Sequence, residues 1–172
     1  MQEITGGEFG HYMLTFESTA FRFEQQPAYV VAYEAEYFAS WRAGDPRDPR
    51  EMPELAAWLP MVRDWVGQGR RIERVRIHQD PPTDYQRWVR WAGQHNVEAG
   101  EVIHYATPER AHEVGLLPDA GPYDWWLLDD ARLLRMTFDD DQQCIAMHLI
   151  TDEPSLDRAR TWRDLAIRAA AD

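Results

Sequence analysis

Arg74, Arg76 and His78, spaced two residues apart, are the first side chains in this sequence whose types and spacing fit a shared chemical task. On a β-strand, side chains with that spacing share one face, about 6.6 Å from one to the next. Two guanidiniums so placed hold carboxylate or phosphate oxygens through paired N–H bonds, and an imidazole beside them exchanges a proton near neutral pH. Tyr85 and Arg87 follow closely enough to join. The chemistry implied is an anion pocket, with Arg74, Arg76, Tyr85 and Arg87 as ligand-binding residues and His78 as acid–base group. The same alternation also describes an exposed sheet face whose arginines pair with the chain's many carboxylates, pairs that contribute little energy. Both readings stand at this level.

Asp124 and Asp129 bracket the aromatic pair Trp125-Trp126 and are expected to orient something buried or to pair with an arginine. Asp139, Asp140 and Asp141 offer oxygen ligands for Ca²⁺ or Mg²⁺, but the spacing of a calcium loop and its glycine are missing, so a solvated turn is the expectation. His78, His104 and His148 all fall in stretches with strand character, yet no His-Glu-x-x-His or other ligand spacing supports a metal, and none is assigned. Ser18, Ser40 and Ser155 lie outside any nucleophile elbow. Gly67-Gln-Gly69 follows a helix pattern and lacks the third glycine of a dinucleotide fingerprint. No cofactor is indicated.

These residues need a frame, and composition bounds it. A chain of 172 residues with eight Trp, seven Tyr and six Phe has the apolar area for one folded domain, read here as 1–172. Its 30 acidic against 18 basic residues give a net charge of −12, which repels nucleic acid and anionic membranes at long range. All the basic residues are arginine. Without lysine, a Walker A loop, a Schiff base and a His-Lys-Asp phosphodiesterase centre are excluded, because each needs an amine at a fixed position. The lone Cys144 forms no internal disulfide and is expected to be a small buried hydrophobe. No signal-like or membrane-spanning stretch is visible, and the expectation is a cytoplasmic protein.

The periodicities supply the elements. Ala20–Glu24 and Arg71–His78 alternate as strands, with Ile72, Arg74, Arg76 and His78 on one side of the second and Glu73, Val75 and Ile77 on the other. Helical spacing links Tyr33, Tyr37, Phe38 and Trp41. It recurs from Leu55 to Val66, with a kink or a fresh start expected at Pro60, and again at Tyr85, Trp88, Val89 and Ala92. The proline-rich stretch 45–53 is expected to be an exposed, mobile loop, and Phe9–Phe16 is an opening segment of unassigned type. Glu101–Ala106 reads as a strand and Pro108–Val114 as a short helix. Tyr123–Ile150 then gives three strands broken at Asp129-Asp130 and at Asp139–Gln142, and a last helix starts at Pro154. The fold class is α+β: a mixed sheet of about six strands, parallel in the middle through crossover helices and extended by a C-terminal antiparallel meander, with helices packed on it.

Five segments in order, Phe21-Arg22-Phe23-Glu24, Arg74-Val75-Arg76, the Pro82–Tyr85 turn, Ala99-Gly100-Glu101 and Asp124-Trp125-Trp126-Leu127-Leu128-Asp129-Asp130, carry a resemblance. The chain resembles, from about Phe9 to Ala170, an actinobacterial family catalogued only as a domain of unknown function, often encoded beside helix-turn-helix regulators. That resemblance implies a regulatory or effector role through a protein partner such as such a regulator, and it transfers no catalytic residues. The alternative is an enzyme acting on an anionic small molecule or nucleotide through the Arg/His pocket.

Overall fold

The computed structural model describes residues 1–171. Seven strands form one mixed sheet in the order β1-β7-β6-β5-β2-β3-β4. They are β1 (Gln2–Glu3), β2 (Thr19–Glu24), β3 (Arg71–Ile77), β4 (Val102–Ala106), β5 (Asp124–Leu128), β6 (Arg132–Phe138) and β7 (Cys144–Ile150). The parallel set β2-β3-β4 and the antiparallel meander β5-β6-β7 meet where β2 pairs antiparallel with β5. The expected class is the observed one. The seventh strand is β1, a two-residue pairing on β7 too short to leave a periodic signal.

Alternation along each strand sends side chains to opposite faces, and the two faces carry different helices. Phe21, Phe23, Val75, Ile77, Trp125 and Leu127 point to one face, where α6 (Pro108–Glu113) and α7 (Glu153–Ala169) cover them. Ala20, Ile72, Trp126, Leu128 and Leu134 point to the other, where α1 (Gly6–Leu14) and α3 (Pro53–Gly67) pack over the meander end. Further along that second face, α2 (Ala35–Arg42) and α4 (Asp84–Ala92) meet around Tyr37, Met52, Trp88 and Ala92. A short α5 (Gln94–Ala99) leads into β4 and closes at Gly100, whose φ of +109° only glycine adopts without strain. A Cβ there would also stand 3.0 Å from Val66 of α3, so glycine sets how closely the two helices approach.

Several expectations meet the structure differently. Phe9 belongs to helix α1, opened by a capping box in which Thr5 accepts from the Glu8 N–H and Glu8 accepts from the Thr5 N–H. Helix α3 runs through Pro60 without a break. Ala56, whose carbonyl loses its intrahelical donor there, is exposed like Pro60, so water can take that donor's place. The stretch 45–53 is mostly exposed, but it forms a 3₁₀ turn at Pro49–Glu51 and buries Pro49 and Met52. Cys144 is exposed rather than buried, at the start of β7, where β1 does not reach and the strand is an edge.

Candidate functional site

Arg74 and Arg76 do share a face, together with Arg22 and Glu24 of the neighbouring strand. Parallel pairing sets Arg22 beside Arg74 and Glu24 beside Arg76. The four make a buried lattice centred on one carboxylate. Glu24 accepts from Arg22 Nε at 2.6 Å, from Arg76 Nε at 2.5 Å and from Arg74 Nη1 at 3.3 Å. Burial opposes ionisation of Glu24, but Arg76, Arg22 and Arg74 together outweigh it and hold its pKa well below the carboxylate range.

The lattice is tied at both sides. Glu101 accepts from Arg74 Nε at 2.5 Å and from Asn96 Nδ2 at 2.7 Å, and it also pairs with Arg74 Nη2. Asp124 lies 3.9 Å from Arg22 Nη2 and accepts from the Gln25 N–H at 3.0 Å and from the Tyr29 hydroxyl. Burial pushes the Asp124 carboxyl up to about 6, against the pull of Arg22 and of the Tyr29 hydrogen bond. Trp126, opposite Arg22 on β5, stacks under two of the guanidiniums, with Arg22 5.3 Å and Arg74 5.7 Å from its ring centroid.

Above this charged floor stands a cavity of about 460 Å³. Trp58 of α3, Tyr85 and Trp88 of α4, Phe138 of β6, and Tyr29 from the segment after β2 give it aromatic walls. Gln26, Tyr29 and Val30, which follow β2, and His78, which follows β3, line it as well. Gly93 makes the approach possible: a Cβ there would sit 2.9 Å from the Val89 carbonyl and 3.1 Å from Arg76 Nη1.

Of the expected residues, the fold brings Arg74, Arg76, His78 and Tyr85 to this cavity. His78 is buried against Tyr105, and burial with the nearby Arg76 and Arg90 lowers its pKa to about 4, so it is neutral at pH 7. The Tyr85 hydroxyl donates to Glu34 at 2.8 Å. Asp124, on the same sheet face as the lattice, joins the floor at Arg22 to the wall at Tyr29. The amino terminus of α4 spends a first-turn donor on a capping box, with Gln86 N–H donating to Thr83.

Arg87 and Asp129 stand apart from the cavity, and Asp129 takes one of its two expected roles by pairing with an arginine. Arg87 is half exposed and turns back to Asp84 and to the Pro82 carbonyl at 3.0 Å, away from the cavity. Asp129 accepts from the backbone N–H groups of Glu17, Ser18 and Thr19 and pairs with Arg132 at 2.7 Å. Burial raises its pKa, but those N–H donors outweigh it and hold the carboxyl at about 2. Its work is to fasten the chain entering β2. Asp129→Ala should therefore cost about 1–3 kcal/mol in a denaturant melt, the desolvation cost of unpaired N–H groups, and leave cavity binding unchanged.

The three histidines do not converge. His104 lies on the opposite face of the sheet, 2.7 Å from Glu73, and His148 is on β7 beside Arg135. Among the described residues no cluster of His, Cys, Asp and Glu is arranged to hold a metal, and the triple aspartate is a turn in which Asp139 accepts from the N–H groups of Asp141 and Gln143.

Arg22, Glu24, Glu101 and the aromatic walls other than Tyr85 escaped the sequence reading as site residues. The alternation of Phe21 to Glu24 did place Arg22 and Glu24 on one side of a strand. What it lacked was the register that sets them beside Arg74 and Arg76.

Fold and site together define an α+β domain whose central parallel strands carry an arginine–glutamate lattice under an aromatic-walled cavity. The chain belongs to the family described as Domain of unknown function (DUF6879), whose model matches residues 7–172. Among curated proteins, none matches the chain. No described helix is long and apolar enough to cross a membrane.

Proposed function

We propose that this protein is a ligand-binding regulatory or effector domain: a small molecule occupies the cavity, and its occupancy alters how the outer surface meets a protein partner. The observation that carries the reading is the lattice itself. Three guanidiniums buried in one place are expensive to desolvate, and a purely structural face would be as stable with apolar side chains of the same volume. Here they stand under an open volume of ligand size instead.

The segment from Gln25 to Glu34 supports the regulatory half. Tyr29, Val30, Tyr33 and Glu34 line the cavity, while Val30 and Tyr33 are also exposed on the outer surface. The segment is anchored at its ends, by Gln25 and Gln26 to Asp124 and the carbonyls of Gly121, Pro122 and Tyr123 and by Glu34 to Tyr85, while between them Tyr29 bonds Asp124 and Val30 N–H bonds the Gln142 carbonyl at 3.2 Å. A ligand contacting its inner side changes its outer side. A helix-turn-helix regulator, actinobacterial origin and a cytoplasmic setting are the partner and context that the family resemblance implies, and a basic regulator surface would suit this acidic protein.

The enzyme reading keeps Arg76 as the charge clamp and His78 as proton acceptor. It is the weaker reading because His78, neutral at pH 7 with a pKa near 4, has no proton to give and a low affinity for one.

Cys144 provides the test. It is the sole cysteine, it is exposed, and it lines the cavity. Partial desolvation where it lines the cavity raises its pKa, so alkylation by iodoacetamide at pH 7.5 should be slow, and a bound small molecule should slow it by roughly fivefold or more, as expected for a site nearly saturated with ligand. A metabolite screen in which compounds raise the melting temperature without protecting Cys144 would place binding elsewhere and sink the reading.

A further inference from the structure

Arg74 and its neighbours are not equivalent. Arg74 is saturated: Nε and Nη2 bond Glu101, and Nη1 bonds Glu24. Arg22 and Arg76 each commit Nε to Glu24 and little else. Arg22 Nη1 finds only the Met136 sulfur at 3.9 Å, and Arg76 Nη1 only the Val89 carbonyl at 3.5 Å. Among the described residues, the Nη2 atoms of both make no hydrogen bond, and neither is sealed from solvent. Two guanidiniums thus line the cavity with donors to spare, and ionised oxygens are the acceptors that satisfy such donors best.

Charge limits what can arrive. Three guanidiniums stand against two carboxylates bonded directly to them, Glu24 and Glu101. Asp124 is the next carboxylate and Glu34, held by Tyr85, the one after it. The bonded set leaves one positive charge over, and Asp124 or Glu34 cancels it when ionised, so the floor accepts at most one further negative charge, and only when both of those carboxyls carry protons. A phosphate dianion or a polyphosphate would overfill it. The walls set the rest of the ligand: Trp58, Tyr85, Trp88 and Phe138 present flat faces and edges that favour an aromatic or similarly flat apolar body.

We infer that the cavity takes a monoanionic carboxylate carried on an aromatic or flat apolar body, its oxygens bound by the free guanidinium nitrogens of Arg22 and Arg76 and its body held among the aromatic walls. This rests on the ligand-binding reading above and narrows it from any small molecule to one chemical class. Arg74 and Glu101 act as positioning residues, and Arg22 and Arg76 as the ligand's own contacts.

Calorimetric titration of the full chain at fixed ionic strength with indole-3-acetate, benzoate, indole-3-acetamide and AMP tests it. Indole-3-acetate is expected to bind about tenfold or more tightly than its uncharged amide, as one charge-assisted contact warrants. In Arg22→Gln that ratio should fall toward one, while Arg22→Lys, which keeps the charge and loses the two-pronged donor, should fall between. Arg22→Lys carries the test if circular dichroism shows that Arg22→Gln does not fold. Equal binding of acid and amide, an unchanged ratio in the variants, or no binding by either carboxylate would overturn the inference. AMP binding more tightly than the carboxylates while protecting Cys144 would overturn the ligand class and leave the cavity reading standing. Failure of every compound in the wider metabolite screen to protect Cys144 would overturn both.

Discussion

Glu24→Gln should lower the unfolding free energy by about 3–5 kcal/mol, the cost of leaving buried charges uncompensated, in a protein whose total stability is of order 5–15 kcal/mol. The substitution keeps the size of the side chain and one acceptor oxygen. What it removes is the negative charge on which Arg22, Arg74 and Arg76 all converge. Glu101 remains, but it bonds Arg74 alone among the three. Two guanidiniums are then left in a low-dielectric floor with no bonded counter-ion. Arg22→Gln is the matched control and should cost clearly less, because Glu24 keeps Arg76 and Arg74 and the carboxylate stays compensated. Denaturant melts of the three proteins, compared at constant slope, decide the matter. If Glu24→Gln and Arg22→Gln prove equally mild, the lattice is not held together by its central carboxylate.

The lattice also marks how far sequence reading reaches. Alternation from Arg71 to His78 placed Arg74, Arg76 and His78 correctly on one face, because the two-residue period is a property of the strand alone. The helical faces of α3 and α4 and the meander were legible for the same reason, each being a local repeat of apolar residues. Register is not local. That β2 pairs with β3 in parallel and with β5 antiparallel decides that Arg22, Glu24 and Trp126 join the arginines, and no single segment holds that information. Asp129 was only half legible, for a related reason: its pairing with an arginine was expected and its backbone partners were not. Its place between a tryptophan pair and a turn looked like a site, while its other partners are backbone N–H groups more than a hundred residues earlier, which leave no side-chain signature. Arg87 shares a helix with Tyr85, but two residues along a helix turn the side chain about 200° to another face.

Between pH 4 and 6 two buried groups should pull stability in opposite directions, and removing either should expose the other. The Asp124 carboxyl rises from 3.8 in the unfolded chain to about 6 in the fold. The native state holds its proton where the unfolded state has lost it, so this contribution is complete below pH 3.8 and fades as pH climbs through 6. His78 falls from 6.5 to about 4. There the unfolded state binds the proton first, so the native state is favoured above pH 6.5 and loses that advantage as pH drops through 4. Each group alone gives a slope of up to about 1.4 kcal/mol per pH unit across its window, with opposite signs. Asp124→Asn removes the penalty felt at higher pH, so its stability relative to the parent should rise from pH 4 to 6. His78→Gln removes the penalty felt at lower pH, so its relative stability should fall over the same interval. Expressing each result as variant minus parent cancels Glu24, Glu34 and the other carboxylates that titrate nearby. Difference curves that are flat in both variants would mean that neither group changes its proton affinity on folding, and a curve for Asp124→Asn that falls with pH would mean that Arg22 and the hydrogen bonds from Tyr29 and Gln25 outweigh burial of the carboxylate.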